Sequence, residues 1–316
     1  MDANLINLPQ KTKLKALSKF ITSRLYYQNQ DSPLIKSYKN SFYCQHLIKA
    51  TDGELTSTYC KNRWCPICNR NRTAELINKY LPTLETYPQL YFITLTRPNV
   101  SGDNLKAEID YLISTFRKLM QTRKSKQFIK DGAIGIRKLE CTHNPETGFH
   151  PHFHLLVSDF AFAEYIVNRW LKVNPTANIK AQDLKPTDGE IGSYIEIFKY
   201  FSKLLAKDKT TNKIYFDAKS MDIIFTAMRG RQVFQTIGNL KPIEPNQETT
   251  KEKSVIFNQE TGELITDGCF KYKGNLNTIG YYNITDGSNL IELTTPNLIK
   301  ELDNNLNFQQ NEKTLQ

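Results

Sequence analysis

Apolar residues recur along most of the chain with two different periods, and the switches between them outline the elements. Leu14, Leu17, Ile21 and Leu25 are spaced as on a helix amid Lys and Arg, which predicts a basic amphipathic helix over 10–26 that packs on the body or lies on DNA. Residues 91–96 form a short β-branched and aromatic run stopped by Pro98, a strand. Leu105, Ile109, Leu112, Ile113, Phe116 and Met120 return to helical spacing. The runs 133–143 and 149–157 are strands separated by Asn-Pro-Glu-Thr-Gly, turn chemistry that makes a hairpin. Phe162, Tyr165, Ile166 and Trp170 mark a second helix, 178–184 a fourth strand and 190–207 a further helix. The order strand, helix, strand, strand, helix, strand is the split βαβ arrangement of ferredoxin-like folds. An α+β protein with a mainly antiparallel sheet and flanking helices is expected.

Beyond Pro242 the stretch KPIEPNQETTKEK reads as a linker. Short strand-like runs at 263–266 and 279–285 and an Asn/Gln-rich end follow, a β-rich segment to which the sequence assigns no role. The predicted organisation is a basic N-terminal helix or arm (1–38), a cysteine module (39–82), the ferredoxin-like domain (83–241) and a linker with an accessory segment (242–316).

Composition narrows the function classes. The 316 residues suffice for about two domains, and 39% apolar with 23% charged residues is neither disordered nor collagen-like. No uncharged apolar run approaches the roughly 18 residues of a membrane span, and the opening MDANLINLPQKTK lacks an apolar leader core, so a cytoplasmic protein without a membrane partner is expected. The net charge of +10 is uneven: residues 241–316 hold 7 Lys and 11 acidic residues, so the basic surface belongs to the first three quarters. A field of that sign attracts nucleic acid or anionic lipid.

Cys44, Cys60, Cys65 and Cys68 lie within 25 residues. A tetrahedral zinc site needs thiolates converging from two turns; Cys65-x2-Cys68 supplies one half of it and Cys44 with Cys60 the other. His46 is an alternative to Cys44, and free thiols are the alternative to zinc. A closed site of this kind is structural, and it would fix Arg63, Arg70 and Arg72 for phosphate contact; solvated surface charges are the alternative. Cys141 and Cys269 show no partner pattern.

Three of the five histidines fall in Phe149-His-Pro-His-Phe-His-Leu-Leu-Val157. Strand period two puts His150, His152 and His154 on one face and Phe153, Leu155 and Val157 on the other. Clustered imidazoles repel when charged, and a bound divalent ion removes that cost. With the hairpin turn centred on Glu146, Glu140 stands opposite His152 on the same face and completes a two-His, one-carboxylate set; a one-residue slip would turn Glu140 away and make His150 the third ligand. Mixed nitrogen and oxygen ligands on an open site suit Mn²⁺ or Mg²⁺ acting on a phosphodiester, with zinc or cobalt as substitutes in vitro.

On the helix at 190–207, Ile191, Tyr194, Ile195, Phe198, Phe201 and Leu205 share one stripe, whereas Glu196, Lys199, Tyr200, Lys203 and Lys207 fall opposite. A phenol beside a carboxylate and two ammonium groups is a nucleophile's setting, because cations stabilise a phenolate and bind the phosphate it attacks. A tyrosine covering the helix face is the plain alternative.

The run Phe92-Ile-Thr-Leu-Thr96, the box His152-Phe-His154-Leu-Leu-Val157, Glu196-x-x-x-Tyr200 and Cys60-Lys-Asn-Arg-Trp-Cys-Pro-Ile-Cys68, in that family's order over about 42–241, resemble the rolling-circle plasmid replication initiators. These are the one-tyrosine group of the HUH endonucleases. Arg229-Gly-Arg-Gln-Val-Phe234 resembles the segment after the family's tyrosine, with Arg229 and Arg231 as further DNA contacts. The resemblance implies a five-stranded antiparallel sheet with the histidine strand central, His152 and His154 as metal ligands, Tyr200 as nucleophile and Glu196 as the base that activates water. It implies nicking of single-stranded or hairpin origin DNA, with a host helicase and single-strand-binding protein as partners; a homodimer is left open. A transposase or relaxase, or a non-catalytic zinc-dependent DNA-binding protein, are the competing readings.

Overall fold

The turn Asn-Pro-Glu-Thr-Gly folds the chain back on itself and sets the register of the central hairpin. The Asn144 side-chain oxygen accepts hydrogen bonds from the backbone N–H groups of Glu146 (2.8 Å) and Thr147 (3.3 Å), closing an Asx turn. Gly148 follows at φ +90°, and a Cβ there would meet the Val100 carbonyl oxygen at 2.6 Å, so only glycine fits. The strands on either side, β4 (Gly135–Asn144) and β5 (Gly148–Val157), pair antiparallel with Glu140 opposite His152 and Lys138 opposite His154.

This computed structural model describes residues 8–51, 54–189, 194, 197–198, 206–207, 214–243, 256–257, 264–265, 268–275 and 278–285. The chain divides into two units, one drawn from 70–203 and 220–245, the other from 1–69, 204–219 and 246–316.

In the first of these, β3 (Tyr91–Leu95) pairs with β5, β6 (Asp183–Pro186) lies outside β3, and β9 (Phe234–Ile237) lies outside β4. The antiparallel order β6-β3-β5-β4-β9 places the histidine strand in the centre, as the sequence resemblance implied. One face is covered by α4 (Gly102–Met120) and α6 (Phe160–Val173), whose Phe116 and Trp170 meet Phe153 with ring centroids 5.3 and 6.1 Å apart. Ile93, Leu95, Leu139, Leu155 and Val157 are fully buried. On the opposite face, Ile136, Leu156 and Phe92 pack with Leu76, Ile77 and Tyr80 of α3 (Pro66–Leu84) and with Tyr194, Ile197 and Phe198. The expected fourth strand starts later than 178, because Asn178 caps a 3₁₀ turn at Ile179–Ala181 and pairing begins at Asp183. Four of the described helices escaped the sequence reading: α2 (Ile35–Phe42), α3, α5 (Arg123–Lys130) and α7 (Ala218–Met228).

The other unit holds α1 (Leu8–Gln28), α2 (Ile35–Phe42), β1 (Leu47–Thr51) and β2 (Glu54–Ser57). From far along the chain, β12 (Gly268–Asn275) and β13 (Thr278–Asn283) complete a sheet of order β13-β12-β1-β2. The segment that the sequence left without a role is therefore built into the same sheet as β1. Its Tyr281 hydroxyl donates to the Gln45 carbonyl at 2.8 Å. Two short ribbons, β7 (Ala206–Lys207) with β8 (Ile214–Tyr215) and β10 (Ile256–Phe257) with β11 (Leu264–Ile265), are also present. A helix reaching Lys207 is thus corrected: Ala206 and Lys207 are strand-paired. The stripe expected on α1 is corrected too. Leu14 and Leu17 are only half-buried, whereas Lys15, Ser18 and Thr22 are fully buried with Ile21 and Leu25, because this face makes hydrogen bonds as well as apolar contacts. Among the described residues, no helix is long and apolar enough to cross a membrane.

Candidate metal centres

Three even-numbered positions on neighbouring strands bring Glu140, His152 and His154 together, with one ligand atom from each inside a 4.8 Å circle. His152 Nε2 lies 3.1 Å from His154 Nε2, and Glu140 Oε2 lies 3.6 Å from the latter. Bonds of about 2.1 Å from a common ion to imidazole or carboxylate leave ligand atoms roughly 3 to 4 Å apart, so the three fit one divalent cation. Both rings are aimed by their other nitrogen: His152 Nδ1 bonds the His150 carbonyl (2.9 Å) and His154 Nδ1 the Thr94 hydroxyl (3.2 Å). Donation from Nδ1 to that carbonyl leaves the Nε2 lone pair of His152 for a metal. Burial, reinforced by His154, pushes the His152 pKa down to about 4, so the ring is neutral near pH 7. The buried Glu140 carboxylate is paired with Lys138, whose ammonium lies 2.9 Å from Oε2. His150, the alternative third ligand, stands outside the group, with its Nδ1 2.7 Å from the Asn99 side-chain oxygen.

The second constellation is Cys44, Cys60, Cys65 and Cys68, again within 4.8 Å of one another. Sγ–Sγ distances of 3.5 Å (Cys44 to Cys68) and 3.6 Å (Cys60 to Cys68) are too long for disulfides and close to the roughly 3.8 Å edge of a tetrahedron with 2.3 Å metal–sulfur bonds. Gln45 and Lys61, each following a cysteine, adopt left-handed backbone (φ 52° and 58°), turning the chain so that the thiols converge. Hydrogen bonding, first with Cys44, lowers the pKa of Cys60 and of Cys65 from the usual thiol value, and bonding first with Cys60 raises that of Cys44. Beneath the cluster, buried Lys15 donates to the carbonyls of Phe42 (3.0 Å) and Cys44; burial lowers its pKa to about 8, with the thiols pulling the other way. His46 is not among the four.

The family model described as replication protein (Rep_1) matches residues 55–275, more than two thirds of the chain. The chain belongs to this replication-protein family. The match agrees with the resemblance to plasmid replication initiators, but it runs on to the end of β12, so the family extends past the boundary at 241 read from the motifs. Curated relatives of the Rep_1 chain, each named protein rep, include one from Staphylococcus aureus (37% identical over 31% of this chain and 44% of its own length). Another is from Bacillus amyloliquefaciens (37% identical over 39% of each). A longer match, to Lentilactobacillus hilgardii, is 26% identical over 66% of this chain and 73% of the relative. The chain thus spans less than half the length of the first curated relatives it matches. No solved structure matches it.

Glu196, Lys199, Tyr200 and Lys203 of the Rep_1 chain lie outside the described residues. Their described neighbours Tyr194, Ile197 and Phe198 are helical and buried, and Phe198 stacks on Phe234 at 5.9 Å. Ile197, absent from the predicted stripe, widens the buried arc. Arg70 and Arg229 are exposed and Arg63 and Arg72 half-buried; Arg231 is held by Asp110 through two hydrogen bonds of 2.7 and 2.6 Å. Sequence reasoning missed Lys138 and Thr94. The hairpin register that found Glu140 also puts Lys138 on its face; Thr94 had no local signal.

Proposed function

We propose that this chain initiates rolling-circle replication as a metal-dependent tyrosine endonuclease, nicking one strand of single-stranded or extruded origin DNA. The observation that carries the reading is the sharing of one sheet face: Tyr194, Ile197 and Phe198 pack on the face that presents Glu140, His152 and His154. Tyr194, Ile197 and Phe198 are the described residues of the stretch of sequence that also contains Glu196 and Tyr200, and this supports the reading. A Mn²⁺ or Mg²⁺ ion held by the three residues would supply a Lewis acid for the scissile phosphate. Tyr200 attacks phosphorus, its phenol proton leaves to solvent or base, the bond to O3′ breaks and O3′ takes a proton from water; the products are a 5′-phosphotyrosine and a 3′-OH that primes synthesis. Lys199 and Lys203 hold the phosphate, and Glu196 later activates water to release the protein. Zinc in the four-cysteine cluster is structural, Arg63, Arg70, Arg72, Arg229 and Arg231 contribute phosphate contacts, and a helicase opens the duplex while a single-strand-binding protein coats the displaced strand.

The test is to incubate the protein and Mn²⁺ with origin strands labelled at either end and run denaturing gels. An adduct carrying the 3′-side fragment is expected. Tight binding without adduct or cleavage on any origin strand would replace this reading with a non-catalytic DNA-binding protein.

Thr94→Val checks the metal site separately. Removing the hydroxyl that aims His154 should weaken Mn²⁺ binding about 10- to 100-fold by isothermal titration, with folding unchanged. An unchanged affinity would remove Thr94 from the site's support.

A further inference from the structure

A cleft of about 200 Å³ opens where α1 meets α2, lined by Ser23, Tyr26, Tyr27, Lys39, Phe42 and Tyr43. Its rings are unusually open to solvent: Tyr27 is 74% and Tyr43 53% exposed. Each is set edge-on against a neighbour, Tyr27 on Tyr26 and Tyr43 on Phe42, with centroids 5.3 and 5.1 Å apart, so neither is a loose tip. Leaving aromatic surface in water forgoes burial energy that folding would otherwise gain. The charge on the two helices that form it has one sign. The two helices contain seven Lys or Arg and no Asp or Glu, and exposed Lys39 stands among the aromatic rings.

From this we infer that the α1–α2 cleft is a binding site for single-stranded DNA, in which unpaired bases stack on Tyr27 and Tyr43 while Lys39 holds a phosphate. Stacking platforms beside cations are how sequence-tolerant single-strand sites work, because every base has a π-face. A duplex buries those faces in its own stack, so this cleft favours single strands. The basic helices would also suit an acidic peptide, but such a peptide needs only the lysines, whereas the two exposed tyrosine rings suit bases. The inference rests on the proposed reading only in its choice of DNA, and the site lies apart in sequence from the Glu140–His152–His154 centre and from Tyr200. It would hold an unpaired strand and keep it from re-annealing.

Fluorescence anisotropy with a labelled oligothymidylate and the full-length protein tests it. The double variant Tyr27→Ala/Tyr43→Ala should bind at least about tenfold more weakly, and Tyr27→Phe/Tyr43→Phe should restore binding, since the ring and not the hydroxyl stacks. Lys39→Ala should reduce the slope of log affinity against log salt by about 0.7. An iododeoxyuridine strand should crosslink to Tyr27 or Tyr43 by mass spectrometry. Unchanged affinity in the alanine double variant, or failure of the phenylalanine pair to rescue, overturns the proposal. If the wild type forms no covalent adduct but binding falls as stated, the nicking reading fails and this site stands; an adduct with unaffected binding gives the reverse.

Discussion

Tyr200→Phe is expected to abolish the protein–DNA adduct and strand cleavage while leaving origin affinity within about twofold of the unaltered chain, since the change removes one hydroxyl and no charge. The aromatic ring is retained, so little apolar surface is lost with the hydroxyl. The metal site is untouched, because Glu140, His152 and His154 sit on β4 and β5 and draw their orientation from Thr94 and the His150 carbonyl. Mn²⁺ affinity in Tyr200→Phe should therefore equal that of the unaltered protein. By contrast His152→Ala should lose both Mn²⁺ binding and cleavage, which separates a missing nucleophile from a missing ion. Denaturing gels for the adduct and isothermal titration for the metal check the pair. An adduct surviving in Tyr200→Phe would move the nucleophile elsewhere, and a metal affinity lost with the hydroxyl would make Tyr200 a ligand.

Much of this site was legible because its geometry is local. The turn residues Asn144 to Gly148 fix the hairpin, the hairpin fixes the register, and period-two alternation then carries Glu140 to His152 without further information. The same rule reaches Lys138, two residues before Glu140 and opposite His154, and it was overlooked only because a lysine is not a ligand. What stayed hidden depends on contacts distant in sequence. Thr94 belongs to the site only once β3 pairs with β5 so that Thr94 faces His154, and nothing near Thr94 announces that register. The pairing of β1 with β12, Ile48 opposite Phe270, joins segments more than 200 residues apart and carries no mark in either run. Lys15 shows the limit of apolar patterning: a lysine among leucines reads as surface, yet two carbonyls at the end of α2 and at Cys44 take its ammonium into the interior.

Stripping the metal from the cysteine cluster, or replacing Cys65 by Ser, is expected to unravel the unit that holds the cluster while the sheet carrying the histidines persists. The apolar support immediately around the four thiols is small, Ile67 with half-buried Leu14, so the metal is the larger part of what holds this corner of the unit. Structural zinc sites contribute on the order of 10 kcal/mol of apparent binding energy at pH 7, more than many domains possess in total stability. Four thiolates around Zn²⁺ leave a net double negative charge, which buried Lys15 partly offsets; without the ion, any negative charge on the clustered sulfurs has only Lys15 nearby to offset it. Hydrogen exchange read by mass spectrometry after chelation should show protection falling across α1, α2, β1, β2, β12 and β13, with β3, β4 and β5 unchanged. Protection lost together in both sets would make the two units one cooperative fold. Protection lost in neither would mean that the apolar contacts of Ile67 and Leu14 suffice and that the four cysteines are free thiols.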